Sequence, residues 1–136
     1  MARYKEYGYD IQNGKAIIPE WETEIKEGAF KDCEELTSVE FPQWIKKIGT
    51  RAFYGCSNLT FITLPESLTE IGEMVFYNCR LKSISIPPSV TEIKGGGGFG
   101  AVFYGCSSLT EVRIPKDCHV DEFAFEDCPN VQIIRY

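Results

Sequence analysis

Ile48-Gly49-Thr50-Arg51-Ala52-Phe53-Tyr54-Gly55-Cys56-Ser57-Asn58-Leu59-Thr60-Phe61-Ile62-Thr63-Leu64-Pro65 is one turn of a pattern that the chain repeats along nearly its whole length. The Phe-x-x-Cys at its centre recurs as Phe30/Cys33, Phe76/Cys79, Phe103/Cys106 and Phe125/Cys128, with cysteine steps of 23, 23, 27 and 22 residues. A period near 23 residues describes a stack of like units rather than one globule folded around a single cleft. Stacks of this kind act as extended binding surfaces more often than as catalysts.

Each cysteine is followed by a short run of alternating polarity, as in Leu36-Thr37-Ser38-Val39-Glu40-Phe41 and Leu109-Thr110-Glu111-Val112-Arg113-Ile114. Period two with β-rich composition predicts strands, which pair in parallel with the strand one repeat away. A proline ends the strands at Pro19, Pro42, Pro65, Pro87 and Pro115, since proline cannot donate to a ladder. The Ile-Gly-x-x-Ala-Phe segment turns the chain, and its glycine is expected to allow unusual backbone angles. The return through Phe-x-x-Cys is too short for a long helix and predicts a single helical or 3-10 turn.

Five of the six cysteines share one repeat position, so their side chains point the same way from successive coils. They are expected to form a column of small buried thiols, because parallel Cβ vectors do not match disulfide geometry. Cys118 falls where other units carry Leu68 or Val90 and is likewise a core filler.

These residues resemble the BspA-like leucine-rich repeats of many bacterial surface proteins and some protozoan ones. The likeness lies in the Leu-x-x-Ile-x-Leu-Pro strands and the Ile-Gly-x-x-Ala-Phe-x-x-Cys returns, and it covers about residues 16–136. It implies an α/β repeat solenoid: a right-handed leucine-rich-repeat stack with a parallel β-ribbon on the concave face and short 3-10 or helical turns on the convex side. It also implies adhesion to a host or matrix protein and, for a full-length parent, a place outside the cell or on its surface. Residues 1–18, with Asn13-Gly14 as a hairpin turn, are read as an N-terminal cap, and residues 19–136 as the repeat domain. The chain stops inside a strand at Tyr136. An open terminal edge invites pairing or stacking, which fits a piece cut from a longer array.

The totals exclude several classes of function. With 14 basic and 20 acidic residues, a net charge of −6 and no Lys/Arg cluster, the chain lacks the footprint of a nucleic-acid or anionic-lipid binder. No run of eighteen apolar residues is available to span a membrane. The first residues lack the apolar core of a secretory signal, so the chain either stays in the cell or derives from a longer precursor.

The repeat is interrupted once, by five extra residues within Lys94-Gly95-Gly96-Gly97-Gly98-Phe99-Gly100-Ala101-Val102. Four consecutive glycines predict a mobile bulge on the convex side. Gly95, Gly97, Gly100 and Val102, with Phe99, are similar to the glycine-rich loop of protein kinases. The lysine-bearing next strand, His-Arg-Asp and Asp-Phe-Gly are absent, so nucleotide binding through Gly95–Gly100 is a remote alternative. A loop peculiar to this chain, or an engineered insertion, fits better.

Other chemistry is thin. His119 with Cys118 and Cys128 lacks the ligand spacing of zinc, and buried thiols make poor nucleophiles. Glu34-Glu35 and Asp121-Glu122 fall at solvated turns. No catalytic residue and no cofactor is assigned. What remains is the ribbon surface, whose outward residues are predicted as Ser38 and Glu40, Phe61 and Thr63, Ser83 and Ser85, Glu111 and Arg113, and Ile133 and Arg135. Of these, Phe61, Thr63, Ser83, Ser85, Glu111, Arg113 and Arg135 are the candidate binding residues, with Trp21 and Trp44 at the rim, since aromatics and arginine anchor interfaces. The plainer reading is that Phe61 packs on a neighbouring rung and the tryptophans shield the core edge. The expected function is a non-catalytic protein-interaction module with an unidentified protein partner. The alternative is a structural spacer whose ends self-associate.

Overall fold

The computed structural model describes residues 9–95 and 100–136. Its strands are β1 Asp10–Gln12, β2 Lys15–Ile17, β3 Glu24–Ile25, β4 Ser38–Glu40, β5 Lys47–Ile48, β6 Glu70–Ile71, β7 Ser83–Ser85, β8 Glu92–Ile93, β9 Glu111–Ile114, β10 His119–Val120 and β11 Gln132–Arg135. They stack in register, one coil upon the next, into a β-solenoid. The chain enters through an antiparallel β1–β2 hairpin. Asn13 and Gly14 turn it with φ of 52° and 81°, the left-handed pair that a two-residue hairpin requires.

The first ribbon is built from the alternating runs. β2 pairs in parallel with β4, and β9 lies between β7 and β11. The inward residues Ala16, Ile62, Ile84 and Val112 are buried, with Val39 partly so. A second ribbon was not foreseen. It consists of two-residue strands, with β3, β5 and β6 paired in parallel, and β8 paired with β10. It buries Ile25, Ile48, Ile71 and Ile93 behind the charged outer residues Glu24, Lys47, Glu70 and Glu92. Lys47 lies 3.6 Å from Glu70, and Lys94 3.9 Å from the same carboxylate.

The third side corrects two expectations. The Phe-x-x-Cys return is not a helical or 3-10 turn: among the described residues there is no helix. In the second coil the amides of Ala52, Tyr54 and Cys56 donate three residues back within the coil. The intervening amides of Arg51, Phe53 and Gly55 donate to Glu73, Val75 and Tyr77 of the next coil, at 2.9, 3.1 and 2.8 Å. Half the donors that a helix would use internally thus join the coils instead. Left-handed residues enforce the alternation. The position before each cysteine holds Asp32, Gly55, Asn78, Gly105 and Asp127, all with φ between 56° and 71°. Gly, Asn and Asp are the residues that tolerate this region.

The motif glycine is also used differently from expectation. Gly49 and Gly72 do not have positive φ. They are glycine because the neighbouring coil is too close. A Cβ on Gly72 would lie 2.7 Å from the Thr50 nitrogen, and one on Gly49 2.8 Å from the Glu27 nitrogen and the Ile25 oxygen. At the equivalent position of the fourth coil stands Lys94, and there β8 is paired only with β10 and not with β6.

Inside, one aromatic column runs the length of the stack. Tyr9, Phe30, Phe53, Phe76, Phe103 and Phe125 stack ring on ring with centroids 5.0–5.8 Å apart and planes within 15°. Offset stacking of this kind adds to the area that each ring buries. Beside it run the thiols. Cys56, Cys79, Cys106 and Cys128 each donate to the carbonyl of the phenylalanine one coil earlier, at 3.1, 3.0, 3.0 and 2.7 Å. The seam position is therefore a small residue that also carries a donor. Burial pushes the Cys56 thiol far above its ordinary value and Cys79 up to about 12, which leaves both inert as nucleophiles.

Polar groups close both ends of the core. Glu22 is 4% exposed at a position where later coils carry Ile45, Leu68 and Val90. The Tyr9 hydroxyl lies 3.2 Å from the Glu22 carboxylate and from the Glu24 carbonyl, and it accepts from the Lys26 amide at 3.3 Å. At the far end, Arg135 donates to the carbonyls of Pro115 and Cys118 at 2.9 and 2.7 Å. The Tyr136 hydroxyl donates to the Ile86 carbonyl.

Candidate functional site

The rungs of the first ribbon decide what faces outward. β7 and β9 align Ser83 with Glu111 and Ser85 with Arg113. β11 aligns Gln132 with Glu111 and Ile134 with Arg113. In the last rung the outward residues are therefore Gln132 and Ile134, and the expectation of Ile133 and Arg135 is corrected by one residue. Arg135 pairs with Ile114 on the core side. Its Nη1 donates to two carbonyls at the open end of the stack, while the side chain stays exposed.

The remaining candidates share one surface. Phe61 is 57% exposed, with the Lys82 ammonium 5.9 Å from its ring centroid. Thr63, Ser85 and Arg113 are exposed, while Ser83 and Glu111 are half-buried. The Arg113 guanidinium stands 5.6 Å from the centre of the Tyr136 ring. Lys15 and Glu40 form an ion pair of 2.9 Å at the other end. The face thus carries hydroxyls, one aromatic ring and charges of both signs.

The ribbon is not continuous. One three-stranded sheet holds β2 and β4 and another holds β7, β9 and β11; residues 61–64 lie between them, unpaired. Among the described residues, no backbone hydrogen bond joins Thr37–Phe41 to Thr60–Leu64, whereas Lys82 donates to Thr60 at 2.9 Å and Thr110 to Lys82 at 3.0 Å. A cleft opens on each side of the unpaired rung. One has a volume of about 450 Å³ and is lined by Ser38, Val39, Phe41, Thr63, Leu64 and Pro65, with the Lys15–Glu40 pair at its edge. The other, of about 280 Å³, is lined by Ile62, Thr63, Leu64, Glu66, Ser85, Pro87 and Tyr136.

Trp21 and Trp44 occupy one corner position on successive coils and are 73% and 53% exposed. The next two coils place Ser67 and Ser89 there. Ser67 donates to the Ile45 carbonyl at 2.6 Å, and Ser89 to the carbonyls of Glu66 and Leu68. The tryptophans forgo that bond.

A further feature went unread in the sequence. Tyr54, Tyr77 and Tyr104, each following a core phenylalanine, stack on the third side with centroids 4.8 and 4.6 Å apart. Lys31 caps one end, 5.4 Å from the centre of the Tyr54 ring. At the other end a hydrogen bond and the negative charge of Asp127 raise the Tyr104 phenol. The signal was the recurring aromatic after Phe, visible in the same alignment.

Catalytic and metal chemistry gains nothing from the geometry. Among the described residues, no three His, Cys, Asp or Glu side chains gather as metal ligands. His119 points outward in β10 while Cys118 is buried. Of the glycine run, Gly96–Phe99 lie outside the described residues, so the expected bulge and the kinase-like loop lie outside them too. Val102, the last residue of that motif, is fully buried in the core. No helix among the described residues is long and apolar enough to cross a membrane.

Comparison with known proteins agrees with this architecture. The BspA type leucine rich repeat region matches residues 23–136 in six copies. A leucine rich cell surface protein from Faecalibacterium prausnitzii shares 35% identity over 92% of this chain and 32% of its own, with a TM-score of 0.82. A leucine rich repeat protein from T. pallidum shares 28% over 94% of this chain and 67% of its own, with a TM-score of 0.77. One from Bacteroides ovatus shares 28% over 90% and 36%, with a TM-score of 0.65. The chain spans about a third of the length of the first and last of these. No curated protein matches it significantly. With the family pattern matched over most of its length and the same coil built in these relatives, the chain belongs to the BspA-type leucine-rich repeat family.

Proposed function

We propose that the chain is a non-catalytic protein-interaction module of a surface-type leucine-rich repeat protein, and that its first ribbon meets the partner. The observation that carries this reading is Phe61, a large ring left 57% exposed on an otherwise hydroxyl-rich ribbon. Arg113 stands two rungs away on the same face. An aromatic and an arginine set among small polar residues have the composition of an interface hot spot. Localisation at the cell surface is supported by the relative from Faecalibacterium prausnitzii, which is described as a cell surface protein.

The test is binding of the chain to an immobilised extracellular-matrix protein preparation, followed by surface plasmon resonance. Wild type should bind, and Phe61→Ala with Arg113→Ala should weaken binding by about 30-fold, or roughly 2 kcal/mol, at unchanged thermal stability. Equal binding by the double variant, or no binding by wild type, rejects the reading.

A further inference from the structure

We propose that Trp21 and Trp44 form a second binding site, at the corner between the two ribbons, and that its ligand is a neutral saccharide stacked on the indoles. The site is separate from Phe61 and Arg113 and goes beyond the protein-interaction reading.

Register puts the two residues side by side. Ile17 pairs with Glu40 four residues before them, and Glu24 pairs with Lys47 three residues after them. The corners between these rungs are therefore one coil apart, about 4.8 Å. Other aromatic residues at that separation stack on each other, Phe30 on Phe53 at 5.4 Å and Tyr54 on Tyr77 at 4.8 Å. Trp21 and Trp44 form no ring pair and no side-chain hydrogen bond among the described residues. They are 73% and 53% exposed, so most of both rings is left to solvent rather than to each other.

The fold does not require tryptophan here. At the same corner Ser67 donates to the Ile45 carbonyl at 2.6 Å, and Ser89 to that of Leu68. The first two coils give up this bond and present two large rings instead. Clustered apolar surface that the fold does not need marks a binding site.

The rim selects the ligand. Glu20 and Gln43 precede the two tryptophans, and Lys46 lies two residues after Trp44. All three are exposed, and none of their side chains forms a hydrogen bond or an ion pair among the described residues. They offer an acceptor, an amide that both donates and accepts, and a donor. The opposite charges of Glu20 and Lys46 favour neither an anion nor a cation. An apolar or proline-rich segment would cover these groups without bonding them, which is unfavourable for each. A pyranose ring meets both demands. Its C–H face lies on the negative face of an indole, and the hydroxyls around its edge donate and accept. A cleft of about 280 Å³, lined by residues 15–20 and 40–42, opens beside Glu20 on the first-ribbon side of the corner and has room for a further sugar unit.

Trp21 and Trp44 are the two tryptophans of the chain, so its intrinsic fluorescence reads this site directly. The intact chain is titrated with cellohexaose, maltohexaose, mannohexaose and chitohexaose, and for comparison with decaproline, decalysine and a sulfated heparin hexasaccharide. At least one neutral hexasaccharide should shift the emission to shorter wavelength with a Kd below about 1 mM, and should bind more tightly than the three comparison ligands. Trp44→Ser brings in the residue that the third and fourth coils carry. It should weaken binding at least tenfold, read from Trp21, without lowering the urea midpoint followed by circular dichroism. Gln43→Ala with Lys46→Ala, both exposed, should weaken binding by about fivefold for each hydrogen bond lost. Phe61→Ala with Arg113→Ala should leave saccharide binding unchanged whatever it does to matrix binding, so the two sites are judged apart. No response to any neutral hexasaccharide, tighter binding of a comparison ligand, full affinity in Trp44→Ser, or loss of saccharide binding in the Phe61 and Arg113 variant overturns the inference.

Discussion

Replacing Gly72 by alanine tests the packing of the coils through the sign of the effect. The added Cβ would lie 2.7 Å from the Thr50 nitrogen, 3.0 Å from the Gly49 carbonyl carbon and 3.1 Å from the Ile48 oxygen. All three are backbone atoms, so no side chain can swing aside. Reaching an ordinary contact of 3.4 Å requires the coils to part by about 0.7 Å at this point. That strains the bond from the Gly72 amide to the Ile48 carbonyl, now 2.8 Å long. Overpacking of a rigid site costs about 1–3 kcal/mol, and a weakened hydrogen bond adds up to about 1 kcal/mol. Loss of unfolded-chain entropy returns about 0.4–1 kcal/mol. The net is a destabilisation of about 2 kcal/mol, or a urea midpoint lower by about 1 M, followed by far-ultraviolet circular dichroism. Lys26 holds the same position in the first coil, where a side chain is accommodated. If Gly72→Ala instead stabilises the protein, as an uncrowded Gly→Ala change does, the close approach of the coils is refuted.

Three further outcomes follow from the same geometry. Burial raises the Cys79 thiol to about 12 in the folded state, against about 8.5 when unfolded. The folded state then binds the extra proton, and stability should fall as pH rises above about 8.5, by about 1.4 kcal/mol per pH unit for this thiol; Cys79→Ser should remove that share of the slope in urea titrations at pH 7 to 11. Tyr9→Phe removes the partner of the Lys26 amide and of the buried Glu22 carboxylate, and should cost about 1–3 kcal/mol, seen as a lower melting temperature. Lys47→Glu would place a third carboxylate between Glu24 and Glu70 and should cost about 0.5–1 kcal/mol at low salt, an effect that should shrink in 1 M sodium chloride.

Repetition made the core legible. Once Phe30, Phe53 and Phe76 are aligned, a stacked column follows, because equal spacing puts equal residues above one another. Hydrogen bonding was far less legible. Leu59-Thr60-Phe61-Ile62-Thr63-Leu64 is a clean alternation, yet this run is unpaired, because alternation records which side faces the core and not which amide meets which carbonyl. The second ribbon escaped notice because strands of two residues, such as Lys47–Ile48, are too short to show a period. Phe and Cys three apart mimic one turn of a helix. The correcting signal was the Asp, Gly or Asn before each cysteine, which favours the left-handed region. At the last rung two adjacent isoleucines blurred the register, and Arg135, exposed at the open end, shares the register of Ile114 rather than of Arg113. Nothing in the letters distinguishes a glycine needed for its φ from one needed for its missing Cβ.

Amide hydrogen exchange read residue by residue by NMR tests the stacking most directly. The account predicts slow exchange recurring from coil to coil at Phe30, Phe53, Phe76 and Phe103, whose amides bond to the next coil. It also predicts fast exchange at the exposed Phe61 and Thr63. Slow exchange in continuous helix-like runs through Phe-x-x-Cys, or protection of Phe61 and Thr63 equal to that of the neighbouring Ser83–Ser85 rung, would contradict it.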